Sequence, residues 1–421
     1  MRDLSHTTHG HLKSERTNGR VHPANLVLRD EAIPAFSDLL GASVPASLIA
    51  ACGRKSLTEV APAQVTWWPG KSLTVRFRAV VDGSRTDLVA IAGDIPPEVT
   101  VVAMGPAHVG VWRLPHDPFL PGLASALDAS AVAPVLGEPA ASTRLVAYRP
   151  GRRAVVAVTG VSGRQAYLKL VRPSDVEEVH RTHKLLSGCL PVPTSLGFDP
   201  DLGILALQRL PGITLRETLL RNRPPPSPAT AFALLAALPT PNAARVTASA
   251  LDNLPRLGAL LARLLPSRRG QIRALIDQLG PDQAPADIPV HGDFYEAQLL
   301  VHKSSICGLL DVDTFGWGRP ADDAATMLGH LDVLDKPGAR AWARGLLRLA
   351  DATLDPVDLR RRVAAEVLAL ATGPFRVQRA NWPAAVGRRL DVALRWLASA
   401  ERVDERPLTS GSDPSHVRTA C

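Results

Sequence analysis

His291-Gly292-Asp293-Phe294-Tyr295-Glu296-Ala297-Gln298-Leu299-Leu300-Val301, followed by Ile306-Cys307-Gly308-Leu309-Leu310-Asp311-Val312-Asp313, is the stretch that decides the fold. Its apolar runs, Leu299–Val301 and Ile306–Leu310, flank the polar turn His302-Lys303-Ser304-Ser305, a pattern that predicts a β-hairpin. The hairpin brings Asp293, Gln298 and Asp311 to one end of a small sheet. Phosphoryl transfer needs such a set. One carboxylate orients and deprotonates an attacking hydroxyl, while a second carboxylate and an amide oxygen hold magnesium against nucleotide phosphates. Asp and Gly also serve as plain turn residues, and a lone His-Gly-Asp would say no more than that. The ordered set is more specific: His-Gly-Asp, an amide five residues after the Asp, then apolar-apolar-Asp beyond a hairpin.

These residues resemble the aminoglycoside phosphotransferase family and its small-molecule kinase relatives, maltokinase-like members included. The resemblance continues through Gly316-Trp317-Gly318-Arg319-Pro320-Ala321-Asp322-Asp323-Ala324-Ala325 and covers roughly the last two thirds of the chain. It implies an α+β, protein-kinase-like two-lobed fold, with a small β-rich N-lobe and a mostly helical C-lobe. It also implies that Asp293 is the catalytic Asp and that Gln298 and Asp311 are the magnesium ligands. The family more often has Asn at the position of Gln298 and Asp at that of Arg319. Gln keeps the carbonyl oxygen and adds a methylene, and maltokinase-like members tend to share it.

Upstream, the sequence reads as the small lobe. Leu145–Tyr148, Ala154–Thr159 and Ala166–Leu170 are expected as strands, with Lys169 on the third. A lysine in an apolar strand is expensive unless its charge has partners, and kinases place there the lysine that meets nucleotide phosphates and a helix glutamate. The alternative is an edge lysine facing water. A helix is expected at Ser174–Ser187, opened by a Ser174/Glu177 capping box. That leaves Glu178 as the partner of Lys169. No Gly-x-Gly-x-x-Gly covers the phosphates; the turn Pro150-Gly151-Arg152-Arg153 stands in its place, with Arg152 and Arg153 as candidate phosphate contacts. Gln208–Leu215 resembles the family's hinge, so the backbone at Gln208 and Leu210 is expected to meet the nucleobase of ATP or GTP.

Residues 30–135 are expected as a separate α/β domain, residues 136–212 as the N-lobe and hinge, and residues 213–400 as the helical C-lobe. The ends, 1–29 and 401–421, are polar and expected to be disordered tails. Trp68-Pro69-Gly70-Lys71-Ser72-Leu73-Thr74-Val75 echoes Arg149-Pro150-Gly151-Arg152-Arg153-Ala154-Val155-Val156. The echo fits either chance recurrence of a Pro-Gly hairpin or a degenerate copy of the N-lobe whose third strand, Leu88–Ala92, has no lysine.

The chain has 421 residues and a formal net charge of +8, but only seven lysines and 4% aromatic residues, so no stacking platform for nucleic acid is legible. There is no apolar run of about 18 residues to span a membrane, and no apolar core of a secretory signal near Met1. The widely spaced Cys52, Cys189, Cys307 and Cys421 suit a reduced, cytoplasmic protein in which they are small apolar fillers. Three functions are compatible with these features. Two are phosphorylation of an aminoglycoside-like hydroxyl compound and phosphorylation of a sugar. The third is a non-catalytic nucleotide-binding scaffold. Glu296 is a candidate carboxylate for a cationic acceptor. His291 is expected to buttress the loop, Asp313 to be an exposed Asp after a strand, with a second metal contact as the alternative, and Asp323 to cap a helix or tie down the catalytic loop.

Overall fold

The computed structural model describes residues 28–41, 48, 57–104, 107–242 and 245–404. Two five-stranded antiparallel sheets occupy its first half. The first holds β1 (Leu57–Trp68), β2 (Ser72–Val81), β3 (Ser84–Gly93), β4 (Thr100–Met104) and β5 (Ala107–Arg113) in the order β1-β2-β3-β5-β4. The second holds β6 (Ala140–Arg149), β7 (Arg153–Gly160), β8 (Gln165–Leu170), β9 (Ser195–Asp199) and β10 (Ile204–Gln208) in the matching order β6-β7-β8-β10-β9. Strict alternation along β7 buries Ala154, Val156 and Val158 on one face. Gly70 and Gly151 close the two Pro-Gly hairpins with positive φ of 75° and 65°, a conformation that glycine adopts at least cost. When those turns are aligned, Thr74 pairs with Ile91 where Val155 pairs with Lys169. Ile91 thus stands at the lysine's register in the first sheet.

The second sheet's core includes Leu120, Leu123, Ala126, Val132, Val135 and Leu136. The N-lobe therefore draws in residues from before the expected boundary at 135/136. The first sheet packs mainly into the apolar core of the helical lobe, where Trp67 meets Phe375 at 6.2 Å between ring centroids.

Past the hinge, β11 (Ile213–Thr214) pairs with β13 (Leu299–His302), and β13 pairs with β14 (Ser305–Leu309). This is the hairpin read from the sequence. Its turn puts both Lys303 and Ser304 at positive φ, 48° and 62°, the twist that suits a two-residue hairpin loop. Between these strands, β12 (Ile288–Val290) pairs with β15 (Gly316–Gly318) and clamps both ends of the catalytic stretch. The remainder is helical, with Pro at the first turn in Pro228–Ala236, Pro337–Asp351 and Pro356–Ala371. Asp355 caps the last of these by accepting from Val357 N (2.8 Å) and Asp358 N (3.0 Å).

Three local expectations change. The helix after β8 is Pro173–Leu186, started by Pro173 with no side-chain cap, so Ser174 and Glu177 form no capping box. The last helix runs Trp382–Asp404, into the stretch expected as a tail; the rest of that tail and residues 1–27 lie outside the described residues. Cys189 is exposed rather than a core filler, and Cys52 and Cys421 lie outside the described residues.

Candidate active site

Four elements converge at the end of the β13–β14 hairpin. β8 supplies Lys169, which is buried, with Nζ 2.7 Å from Asp311 Oδ1 and 2.6 Å from Asp313 Oδ2. The start of β7 supplies Arg153, with Nη1 2.8 Å from Asp311 Oδ2 and 3.0 Å from Oδ1. The hairpin supplies Gln298, buried, whose Nε2 lies 3.4 Å from both Asp293 Oδ2 and Asp311 Oδ2. The loop before it supplies Asp293. Asp293, Gln298, Asp311 and Lys169 thus stand together.

Electrostatics follow from this packing. Burial pushes the Asp293 carboxyl up, Asp311 adds to it, and Arg153 and Arg149 pull back, leaving it at about 6. Burial also opposes ionisation of Asp311, but Lys169 and Arg153 outweigh it and hold this carboxyl well below the usual range. Burial opposes the Lys169 charge in turn, and Asp313 and Asp311 outweigh it and hold the ammonium above its usual range. A buried ion pair of this kind is costly to break from either side, at roughly 3–5 kcal/mol.

The loop is held from beneath. His291 is fully buried, and its imidazole is pushed down to about 4, chiefly by burial. It accepts from Asp293 N at Nδ1 (3.2 Å), which fixes Nε2 as the donor to the Leu310 carbonyl (3.0 Å). Asp323 accepts from His291 N (2.7 Å) and Gly292 N (2.9 Å), so it ties down the loop. Arg362, fully buried, binds Asp282, Asp322 and Asp358. Arg319, to which the sequence assigned no role, binds Asp282 at 3.0 Å and Asp252 at 3.2 Å. This network fixes the start of the helix Asp322–Leu334, and with it Asp323.

Several expected residues stand elsewhere. Glu178 is half-exposed and lies 3.6 Å from Arg245, not against Lys169; the short spacing from strand to helix leaves it on another face. Arg152 is exposed, and its neighbour Arg153 makes the contact, because alternation after the turn points Arg153 inward. Asp313 is not exposed but binds Lys169. Glu296 is fully buried against Arg216 at 2.6 Å, so it is closed off from a pocket. Gln208 sits at the end of β10 with its N–H bonded to the Thr194 carbonyl (2.9 Å), and Leu210 borders Gly308 of the hairpin. The sequence also gave no sign that Asp117 pins the Pro150-Gly151 turn. Asp117 Oδ2 accepts from Gly151 N and from the Tyr148 hydroxyl, both at 2.8 Å, and that hydroxyl accepts from Trp112 Nε1 of the first sheet. A cavity of about 510 Å³ lies between the helix Pro173–Leu186 and Pro241, Asn242 and Arg245, and not at Asp293.

A divalent cation would be held by oxygen donors here. Asp311 stands beside the Gln298 amide, whose Nε2 is turned toward it, so Oε1 would reach a cation only with the amide turned over, and Asp313 Oδ1 is buried without a partner among the described residues. Such hard oxygen donors suit magnesium. No group of three His, Cys, Asp or Glu able to hold a metal alone occurs among the described residues.

The model of the phosphotransferase enzyme family matches residues 144–365 of this 421-residue chain. The chain belongs to the phosphotransferase enzyme family. The matched residues include Lys169, Asp293, Gln298, Asp311 and Asp313. Among solved structures, the phosphotransferase is similar to a thermostable mutant of aminoglycoside phosphotransferase APH(4)-Ia in ternary complex with ADP and hygromycin B. That match has 14% identity, 64% of this chain and 98% of the other, and a TM-score of 0.47. It is also similar to macrolide 2'-phosphotransferase type I, at 20% identity over 62% and 95% of the two chains with a TM-score of 0.43. A third likeness is to macrolide 2'-phosphotransferase MphH from Brachybacterium faecium, at 20% identity over 63% and 97% with a TM-score of 0.38. No curated protein matches the sequence. Among the described residues, no helix of this phosphotransferase is long and apolar enough to cross a membrane.

Proposed function

We propose that this phosphotransferase moves the γ-phosphate of ATP or GTP to a hydroxyl of a small molecule, with magnesium at Asp311 and Gln298 and with Asp293 as the catalytic carboxylate. The observation that carries this reading is the convergence of Lys169, Asp311, Gln298 and Asp293 at the end of one hairpin. Magnesium would supply neutralisation of phosphate charge. Lys169 and Arg153 add fixed positive charge on the N-lobe side, and Asp293 orients the acceptor and takes its proton. The acceptor oxygen bonds to the γ-phosphorus as the bond from that phosphorus to the β–γ bridging oxygen breaks. The hydroxyl proton goes to Asp293, and the nucleoside diphosphate leaves with the electron pair. Positioning and electrostatics supply most of the acceleration in this chemistry. The hinge backbone at Gln208 and Leu210 is the proposed nucleobase edge, and the cytoplasm the proposed setting.

The test is transfer from γ-labelled ATP to a panel of hydroxyl acceptors. Asp293→Asn keeps the size of the side chain and removes its proton-accepting charge. Turnover is expected to drop by roughly 10²–10⁴-fold, with an unchanged thermal unfolding profile. A variant as active as the parent would remove Asp293 from the chemistry. A scaffold would instead bind the nucleotide and transfer nothing from it.

A further inference from the structure

Guanidiniums from both lobes gather around Asp293. Arg149 and Arg153 are direct partners across the β6–β7 hairpin, and like charges facing each other across a strand pair repel. Asp311 takes the charge of Arg153. Among the described residues, Arg149 and Arg376 have no carboxylate within ion-pair distance. Arg376 ends the one-turn helix Gly373–Arg376 and lies in electrostatic reach of Tyr295, Arg152 and Arg153, while Arg149 is in reach of Arg376, Tyr295 and Asp311. Tyr295, two residues past Asp293, stacks on His330 with ring centroids 4.0 Å apart.

The chemistry of this cluster is one-sided. Arg149 is part-buried and Arg376 exposed, and neither is paired with a carboxylate among the described residues, so their positive charge is not neutralised by a neighbour. Burial, with Arg216, Arg389 and Arg376, pushes His330 down to about 3, so its ring is neutral. Burial, then Asp293, keeps the Tyr295 hydroxyl protonated as a donor. The nearest carboxylates other than Asp293 are spent on cations or pushed towards neutrality: Glu296 on Arg216, Asp311 and Asp313 on Lys169, and Glu366 at about 7. A polycationic acceptor would bring ammonium groups against guanidiniums and be repelled. An anionic group would relieve the repulsion and collect charge-assisted hydrogen bonds.

We propose that the acceptor is a hydroxylated organic anion, bearing a phosphate or a carboxylate, whose charged group is bound by Arg149 and Arg376 while Asp293 holds its hydroxyl. This deepens, and rests on, the reading of Asp293 as the site of transfer. The kinetics below distinguish this from the same guanidiniums serving the nucleotide.

The experiment uses the full chain with Mg-ATP and four probes: glucose 6-phosphate, gluconate, glucose and kanamycin. One anionic probe is expected to exceed glucose in kcat/KM by on the order of 10- to 100-fold, the range of one or two hydrogen bonds to a charged group. Preference for the phosphate or for the carboxylate identifies which anion it is. Arg149→Gln/Arg376→Gln is expected to raise KM for that probe by a similar factor, with a much smaller change in kcat and in KM for ATP. Glucose or kanamycin as the best acceptor would overturn the proposal. So would a double variant that shifts KM for ATP and leaves that of the acceptor alone. If no probe is turned over while Mg-ATP still raises the unfolding temperature, the anionic acceptor is overturned and the nucleotide site stands. If Mg-ATP gives no rise either, the phosphotransfer reading itself has failed.

Discussion

At the scale of single residues, the site is a contest between burial and charge. Lys169 is tolerated in β8 because two carboxylates sit within 2.7 Å of its ammonium. Asp311 adopts φ 58° and ψ 47°, the left-handed region that a short polar side chain enters more readily than a branched one. Beneath them, Glu366 is pushed up to about 7, first by burial, then by Asp322, with Asp293 and Asp323 adding to it and the Thr326 hydroxyl opposing. The sign follows from linkage. The folded value lies above the ordinary 4.5, so the folded state holds the extra proton between these values. The contribution of Glu366 to stability therefore falls as pH rises from about 4.5 to 7. Asp323, also at about 7, contributes in the same direction. Glu366→Gln should flatten this fall. Thermal unfolding at pH 5 and pH 8 measures it, and equal slopes for the parent and the variant would contradict the assignment.

At the scale of elements, the hairpin and its loop were the most legible part of the sequence. Apolar runs around a short turn forced β13 and β14, and the hairpin was expected to bring Asp293, Gln298 and Asp311 to one end of its sheet. What could not be read was the support that comes from far along the chain. Glu178 was assigned to Lys169 because Glu177 was given to a capping box, whereas Asp313 is its neighbour through a tertiary contact. Asp323 fixes the loop from 31 and 32 residues away. Gly292 shows how tightly that loop is built. Its φ is +81°, and an added Cβ would lie 2.6 Å from Thr247 Cγ2 and 2.8 Å from the Thr314 carbonyl oxygen. Gly292→Ala is expected to lose about 1–3 kcal/mol from backbone strain and more from the clash, with activity falling alongside stability. Denaturant titration with a parallel transfer assay checks it, and an unperturbed variant would mean that the loop is looser than described.

At the scale of the whole molecule, the sequence separated a first segment from two lobes, and the α+β two-lobed fold follows the family. The way the pieces lock together was not legible, because it rests on contacts between residues far apart in sequence. The first sheet is not an appendage. Trp67 packs on Phe375, one residue before Arg376, and Trp112 reaches through Tyr148 and Asp117 to the Gly151 turn. Both sides of the cleft are thus braced by a sheet with isoleucine at the lysine's register. The central claim is that this cleft closes on a metal–nucleotide pair through Asp311, and the unfolding temperature of the full chain with saturating ATP measures it most directly. Ligand at about 100 times its Kd adds roughly 2.7 kcal/mol of stability. The account predicts a clear rise with ATP and magnesium together, little with ATP plus a chelator, and loss of the rise in Asp311→Asn. An equal rise in all three would contradict it.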